Sequence, residues 1–320
     1  MRFVIYGAGA VGGTIGGRLF EAGHDVTLVA RGDHLRALQG DGLTLVSPGG
    51  SVTLAVPAAG HPGDAGLAPG DVVVLAMKSQ HTAAALVDLA GVAPEGVAVF
   101  CAQNGVDNER MALRAFPDVY AVSVMLPATH LEPGVVVINS AGLTGLLDLG
   151  RYPEGVDGTA LAVAGALSGA TFGSEARTDI MRWKYRKLLM NLANAIEAVC
   201  GPAGRTSPLV AMVQDEGGAV LRAAGIDPVP AEEDRARRGD LLSLRPAEGR
   251  RREGGSSWQS LSRGTGSIEA DYLNGEIVLL GRLHGVPTPA NALLQRLAGR
   301  AAAEGRPPGS MTPDEVLAHL

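Results

Sequence analysis

Short apolar runs alternate with amphipathic stretches through the first half of the chain. The runs Arg2–Tyr6, Asp25–Ala30, Asp71–Ala76, Val97–Cys101 and Val119–Val124 have strand length. Between them, Ala10–Ala22, Ser79–Leu89 and Val106–Ala115 repeat their apolar positions with the period of a helix. Strands separated by helices predict a parallel sheet with crossover helices on its faces. Leu43–Val46 and Ser51–Ala55 flank Ser47-Pro48-Gly49-Gly50 and predict a hairpin. A second hairpin is predicted from Val135–Asn139 and Leu143–Leu149, turning at Ala141-Gly142.

Near Thr171–Asp179 the rhythm changes, and the helical period takes over in Ile180–Val199, Pro208–Ala224, Ile268–His284, Ala290–Ala303 and Pro313–Leu320. Thr288-Pro289 and Thr312-Pro313 each set a hydroxyl N-cap before a first-turn proline. Glu315, three residues after Thr312, completes a capping box. The polar stretch Ala231–Gly255 predicts, in part, a mobile loop. At 320 residues the chain exceeds what one ordinary core organises. The expected fold is an α/β Rossmann domain, a doubly wound parallel sheet over residues 1–175, followed by an all-α domain over residues 176–320.

Composition narrows the function. Hydrophobic residues make up 46% and charged residues 19%, and the net charge is -6. That balance gives a globular chain with no broad cationic field for a nucleic acid or an anionic membrane. Cys101 and Cys200 lie far apart, which suits a reducing cytosol rather than a disulfide scaffold. The seven histidines form no cluster with metal-ligand spacing, so no metal is expected. The start Met1–Gly17 mimics a signal peptide, but it is too short and too glycine-rich for a membrane span. A soluble, cytoplasmic protein is the expectation, and a homodimer stays open.

The glycines at the start have a sharper meaning. Gly7-Ala8-Gly9-Ala10-Val11-Gly12 matches G-x-G-x-x-G, follows a predicted strand and opens a predicted helix. Gly7 permits the tight turn, Gly9 lets the backbone approach a pyrophosphate, and Gly12 allows close helix–strand packing. The next strand ends Val29-Ala30-Arg31, with no carboxylate at its tip to grip a ribose 2′-hydroxyl. Arg31 suits a 2′-phosphate, which favours NADP over NAD. Asp33, the nearest acid, falls beyond the tip in an expected helix cap.

Ligands of an open parallel sheet sit beyond the carboxyl ends of its strands. Met77-Lys78-Ser79 and Gln103-Asn104-Gly105 fall there, so Lys78 and Asn104 are candidates for the nicotinamide end, although each also fits a turn or cap. In the second half, Trp183–Asn194 reads as one helix, with Lys187, Asn191 and Asn194 at i, i+4 and i+7 on a single face. Such a polar stripe is either a surface face or the wall of a site.

Together with Ser256-Ser257-Trp258-Gln259 and Glu269-Ala270-Asp271-Tyr272-Leu273-Asn274-Gly275, these segments resemble the ketopantoate reductase (2-dehydropantoate 2-reductase) family over nearly the whole chain. The resemblance implies reduction of ketopantoate to pantoate with NADPH, a step in pantothenate biosynthesis towards coenzyme A. It implies that Lys187 is the catalytic lysine and Glu269 an active-site glutamate. Lys78 and Asn104 match residues at the nicotinamide and substrate, and Asn191 and Ser257 match substrate-binding positions. Arg31 matches the arginine associated with NADP preference. Hydride addition to a ketone leaves a developing alkoxide, and a lysine supplies both a cation and a proton there.

The chain departs from the family pattern on the substrate side. Ala195 stands at the position of a second asparagine, with Asn194 one residue early. Trp183 is four rather than two residues before Lys187, and Ser260 replaces an acid. The arginine-rich arm before Ser256 is also longer. A reductase of another 2-keto acid is therefore an alternative. A non-catalytic NADP-binding sensor is a second one, with little reason to keep both Lys187 and Glu269.

Overall fold

Strand β1 (Arg2–Tyr6) turns Phe3 and Ile5 to one face of a sheet and Val4 to the other, and all three are fully buried. Both faces are therefore covered, as a parallel sheet requires. A computed structural model describes residues 1–239, 241–247 and 254–320. The described chain forms two compact units. One comprises Met1–Gln103, Asn108–Met181 and the described part of 232–252; the other comprises Asn104–Asp107, Arg182–Ala231 and the described part of 253–320.

In the first unit, β1 is followed by α1 (Ala10–Glu21), β2 (Asp25–Val29), α2 (Gly32–Gly40), β3 (Leu43–Ser47), β4 (Gly50–Leu54) and β5 (Ala58–Ala59). Then come β6 (Val72–Leu75), α3 (Thr82–Ala90), β7 (Ala98–Cys101), α4 (Asn108–Leu113), β8 (Val119–Met125), β9 (Ala128–Thr129) and β10 (Val135–Ile138). After these lie β11 (Ser140–Gly142), β12 (Gly145–Arg151), α5 (Gly158–Gly169) and β13 (Phe172–Gly173). The 8-stranded sheet runs β13-β12-β8-β7-β6-β1-β2-β5. Its strands are parallel except where β12 meets β8. Strand order reverses between β1 and β6, which is the switch point where such sheets bind ligands. The fold class expected from the pattern is the one found.

The first hairpin is present as antiparallel β3 and β4. The second is not. Val135–Ile138 pairs with β3 and β9 in a separate 4-stranded sheet, whereas β12 lies between β8 and β13 in the main sheet. Gly145–Gly150 is buried at every position, the mark of an interior strand rather than a two-stranded ribbon. Ala141 and Gly142, expected as the turn, belong to β11 and pair with β14 (Leu242–Leu244).

The second unit contains α6 (Ile180–Asn191), α7 (Ala193–Cys200), α8 (Leu209–Ala223), α10 (Ser256–Ser262), α11 (Asn274–His284), α12 (Pro289–Ala303) and α13 (Pro313–Leu317), while α9 is Ala231–Arg238. The described part of Ala231–Gly255 is thus more than a loop. It holds α9 and β14, and Arg237 of α9 reaches the buried Asp148 carboxylate of β12. Arg250-Arg251-Arg252 lies outside the described residues.

Two local expectations at helix starts diverge. Thr312 and Glu315 form the predicted capping box. Thr288 makes no side-chain cap; instead the Glu216 carboxylate accepts the Ala290 and Asn291 backbone N–H groups at 2.8 and 2.9 Å. A charged cap from another helix is the stronger acceptor, so it takes the role. Among the described residues no helix is long and apolar enough to cross a membrane.

Candidate active site

The glycine turn is built as its spacing demands. Gly7 has φ 102, and a Cβ there would lie 2.6 Å from the Met77 backbone nitrogen. The turn after β1 therefore sits directly against the residue preceding Lys78. A Cβ on Gly12 would meet the Gly7 carbonyl at 2.1 Å and Ile5 and Ala76 at 2.9 Å, which is the close helix–strand contact that requires glycine. Gly9 differs, because nothing lies within 4 Å of its Cβ position. Gly9 is also the N-cap of α1 and offers no capping side chain. The backbone donors around Ala8, Ala10 and Val11 thus open onto an unobstructed face, which fits a pyrophosphate.

Beside this turn, buried amides and hydroxyls brace the ends of β6 and β7. The Gln103 amide donates to the Met77 carbonyl at 2.9 Å and to the Thr82 hydroxyl at 2.7 Å. Thr82 donates to Asn108, and Asn108 donates to Ser79. These bonds hold the half-buried Lys78 on a fixed turn. Gln103, Thr82 and Asn108 escape sequence reasoning because their contacts are 21 to 29 residues apart. Arg31 is exposed as the N-cap of α2, near enough to Tyr6 to oppose the upward shift of its phenol. Burial and the Asp88 carboxylate push that phenol up to about 12. Asp33, the acid nearest in sequence after the β2 tip, is engaged by Arg36.

In the second unit, the Asn191 amide donates to the Asn104 side-chain carbonyl at 3.1 Å. Asn191 is 6% exposed and closes α6 one turn after the half-buried Lys187. The loop carrying Asn104 lies against the short 3-10 turn Glu269–Tyr272, since a Cβ on Gly105 would be 3.0 Å from the Tyr272 carbonyl. Glu269 opens that turn and is 2% exposed. Its charge is felt by Arg263, whose pKa burial lowers and Glu269 raises.

Of the stripe, Lys187 and Asn191 belong to α6 and Asn194 to α7, and Leu192 between them keeps helical dihedrals, φ -58 and ψ -31. α6 ends at Asn191 and α7 begins at Ala193. The Asn274 side chain donates to the Leu192 carbonyl at 3.1 Å, and to Asn291 at 2.9 Å. Asn291 in turn donates to the Val213 carbonyl and to Glu216. A fully buried amide thus satisfies a carbonyl between the two helices, where orphan backbone groups must find partners. Asn191 faces Asn104, whereas the Asn194 side-chain oxygen lies 3.8 Å from the Gly255 Cβ position at the start of α10. Ala195 is buried at 1% exposure.

Ser257, on α10, is 1% exposed, and its hydroxyl has no hydrogen-bond partner among the described residues. Such a group is costly unless something else satisfies it. The start of α10 is fixed by Glu197, which accepts the Gly255 N–H at 3.1 Å and the Arg205 guanidinium at 2.6 Å. Glu197 was missed, although its place three residues after Asn194 extends the polar stripe. Cys200 closes α7, and burial pushes its thiol up to about 11, too high for a nucleophile.

Family models agree with this layout. Residues 3–154 match the model described as ketopantoate reductase PanE/ApbA, and residues 179–302 match its C-terminal counterpart. The chain belongs to the ketopantoate reductase family. A 2-dehydropantoate 2-reductase of Pyrococcus horikoshii is 30% identical over 93% of this chain and 96% of that one. The crystal structure of a PanE/ApbA family ketopantoate reductase from Ralstonia eutropha superposes with TM-score 0.80 at 28% identity, covering 96% of this chain and 100% of that one. A D-mandelate dehydrogenase solved with NADH and anilino(oxo)acetate has the same fold, with TM-score 0.80 at 24% identity over 95% and 99% of the two chains. The protein is therefore an oxidoreductase of the ketopantoate reductase type.

Proposed function

We propose that this chain reduces a 2-keto acid, ketopantoate in the first instance, to the 2-hydroxy acid with NADPH, and that Lys187 is the proton donor. The observation that carries the reading is the Asn191–Asn104 bond, which sets two neutral amides one helical turn from Lys187. A reduced nicotinamide, when bound, supplies the hydride. The chain does the rest. Lys187 stabilises the oxygen that becomes negative and gives it a proton. Glu269 holds the ammonium or the substrate hydroxyl. Asn191, Asn104 and the buried Ser257 hydroxyl bind the carboxylate and hydroxyl without adding charge. Gly7–Gly12 carry the pyrophosphate, Lys78 and Asn104 face the nicotinamide end, and Arg31 takes the 2′-phosphate. Residues 1–175 hold the cofactor and 176–320 carry the substrate groups.

The deciding assay is NADPH oxidation with ketopantoate, repeated with NADH; no turnover with any 2-keto acid defeats the reading. For Arg31→Ala, kcat/KM for NADPH is expected to fall about 10–100-fold, the worth of lost charge-assisted hydrogen bonds, with NADH changed less than about threefold. Equal losses with both cofactors would remove Arg31 from the 2′-phosphate. A reductase for a different 2-keto acid is the second reading. Ala195 favours it, because α7 offers a buried methyl where an asparagine is expected and turns Asn194 towards Gly255. Comparing kcat/KM across a panel of 2-keto acids separates the two.

A further inference from the structure

His34, on α2, is tied into the glycine turn. Its Nδ1 accepts the Gly134 backbone N–H at 2.9 Å, so that nitrogen carries a lone pair. The ring proton is therefore on Nε2, which donates to the Ala8 carbonyl at 2.7 Å. Ala8 lies between the first two glycines of the turn. In a planar trans peptide the C=O and the following N–H point in opposite directions. Drawing the Ala8 carbonyl towards His34 thus aims the Gly9 N–H the other way. A Cβ on Gly13 would fall 2.9 Å from the same Ala8 oxygen, so α1 is packed to this one peptide orientation.

We propose that His34 is a positioning residue of the dinucleotide site: as the neutral Nε2–H tautomer it holds the Ala8–Gly9 peptide with its N–H turned to the pyrophosphate. The inference rests on the reading that this turn binds NADP(H). It makes cofactor affinity depend on a proton. A protonated ring places a second N–H against that of Gly134, and one of the two bonds is lost. Burial holds the His34 pKa below its ordinary 6.5, with the Ala8 bond opposing more weakly. The ring is therefore neutral above 6.5, and affinity falls only as the pH drops below that value. Among the described residues, these groups bear on it. His130 packs against it with ring centroids 4.3 Å apart and planes tilted by 49°, and bonds the Val135 carbonyl, and Glu132 follows on the same segment. On α2 itself Asp33 and Arg36 pair with each other, Arg31 is the N-cap, and Gly7–Gly12 brings no charged side chain.

The test is NADP⁺ binding by calorimetry from about pH 8 to about pH 5.5, using wild type, His34→Ala and His34→Gln. Glutamine offers a donor and an acceptor, as neutral imidazole does, but gains no proton in this range. His34→Ala is expected to weaken NADP⁺ binding about tenfold at every pH, with kcat at saturating NADPH within about twofold of wild type. His34→Gln is expected to bind within about threefold of wild type near pH 8 and to lack the acid loss, so that the wild-type to glutamine ratio of dissociation constants rises as pH falls. Dividing by the glutamine variant cancels the titration of the cofactor's own phosphate. An alanine variant binding like wild type, or a glutamine variant with the same acid loss, overturns the proposal. Should the alanine variant not fold, the glutamine ratio decides alone. A wild type that binds no NADP(H) at any pH overturns the dinucleotide reading as well, whereas normal wild-type binding without any effect of His34 overturns only this step.

Discussion

Lys187→Ala is expected to lower kcat with NADPH and ketopantoate about 10²–10⁴-fold while NADP⁺ affinity stays within about threefold of wild type. Proton donation and charge stabilisation act only as the oxygen becomes negative, so removing the amine strikes the transition state rather than cofactor binding. Alanine is the best helix former, and Lys187 is only half-buried, so α6 survives the change. Its register is set elsewhere, by the fully buried Leu188 and Leu192 and by Asn274 at the Leu192 carbonyl. Lys187→Arg separates the two roles of the amine. It keeps the cation but surrenders the proton far less readily, so turnover between wild type and alanine is expected. Near-normal turnover in the alanine variant would remove Lys187 from the role of proton donor.

What the sequence showed clearly was whatever depends on local period or on glycine stereochemistry. The strands of the parallel sheet, the turn at Gly7–Gly12 and the capping box at Thr312 were all legible, because each follows from residues a few positions apart. What it hid was decided at long range. Whether Val135–Ile138 pairs with β3 or folds back on β12 depends on which edge still needs a partner, and no alternation within either strand records that. α5 and α9 went unread for a related reason. The first is apolar nearly all round, and the second is so charged that its helical period carries no apolar stripe. At the candidate site, the residue types on α6 and α7 were legible but their directions were not. Asn191 meets Asn104 and Asn194 lies near Gly255, while Asn274 from 82 residues away bonds the Leu192 carbonyl between them. Likewise Ser257 could be named from its motif, but the Glu197 that fixes the start of its helix could not.

Asp148→Ala is expected to destabilise the first unit by about 3–5 kcal/mol, the usual cost of removing one partner from a buried charged cluster. Asp148 lies inside β12 with its side chain 5% exposed. It accepts from Arg177 Nε at 2.9 Å, from Arg237 Nε and Nη2 at 2.9 and 2.7 Å, and from the Glu175 backbone N–H at 3.0 Å. The carboxylate raises the Arg237 pKa above its ordinary value, against the opposing effect of burial, which is the signature of a charge held in place. Alanine would leave two guanidinium groups, 18% and 12% exposed, without it. Glu175 reaches both arginines but is 56% exposed and so recovers little of the loss. Since α9 and β14 are joined to the sheet partly through Arg237, calorimetry should show the first-unit transition falling by roughly 10 °C or more. Protease sensitivity should rise within 231–247. A variant in which Asp148, Arg177 and Arg237 are all replaced by apolar residues of similar volume is the informative control. It leaves no charge uncompensated, and is expected to be more stable than Asp148→Ala alone. If the single variant melted like wild type, this cluster would be an ornament of the strand edge rather than the anchor of the returning segment.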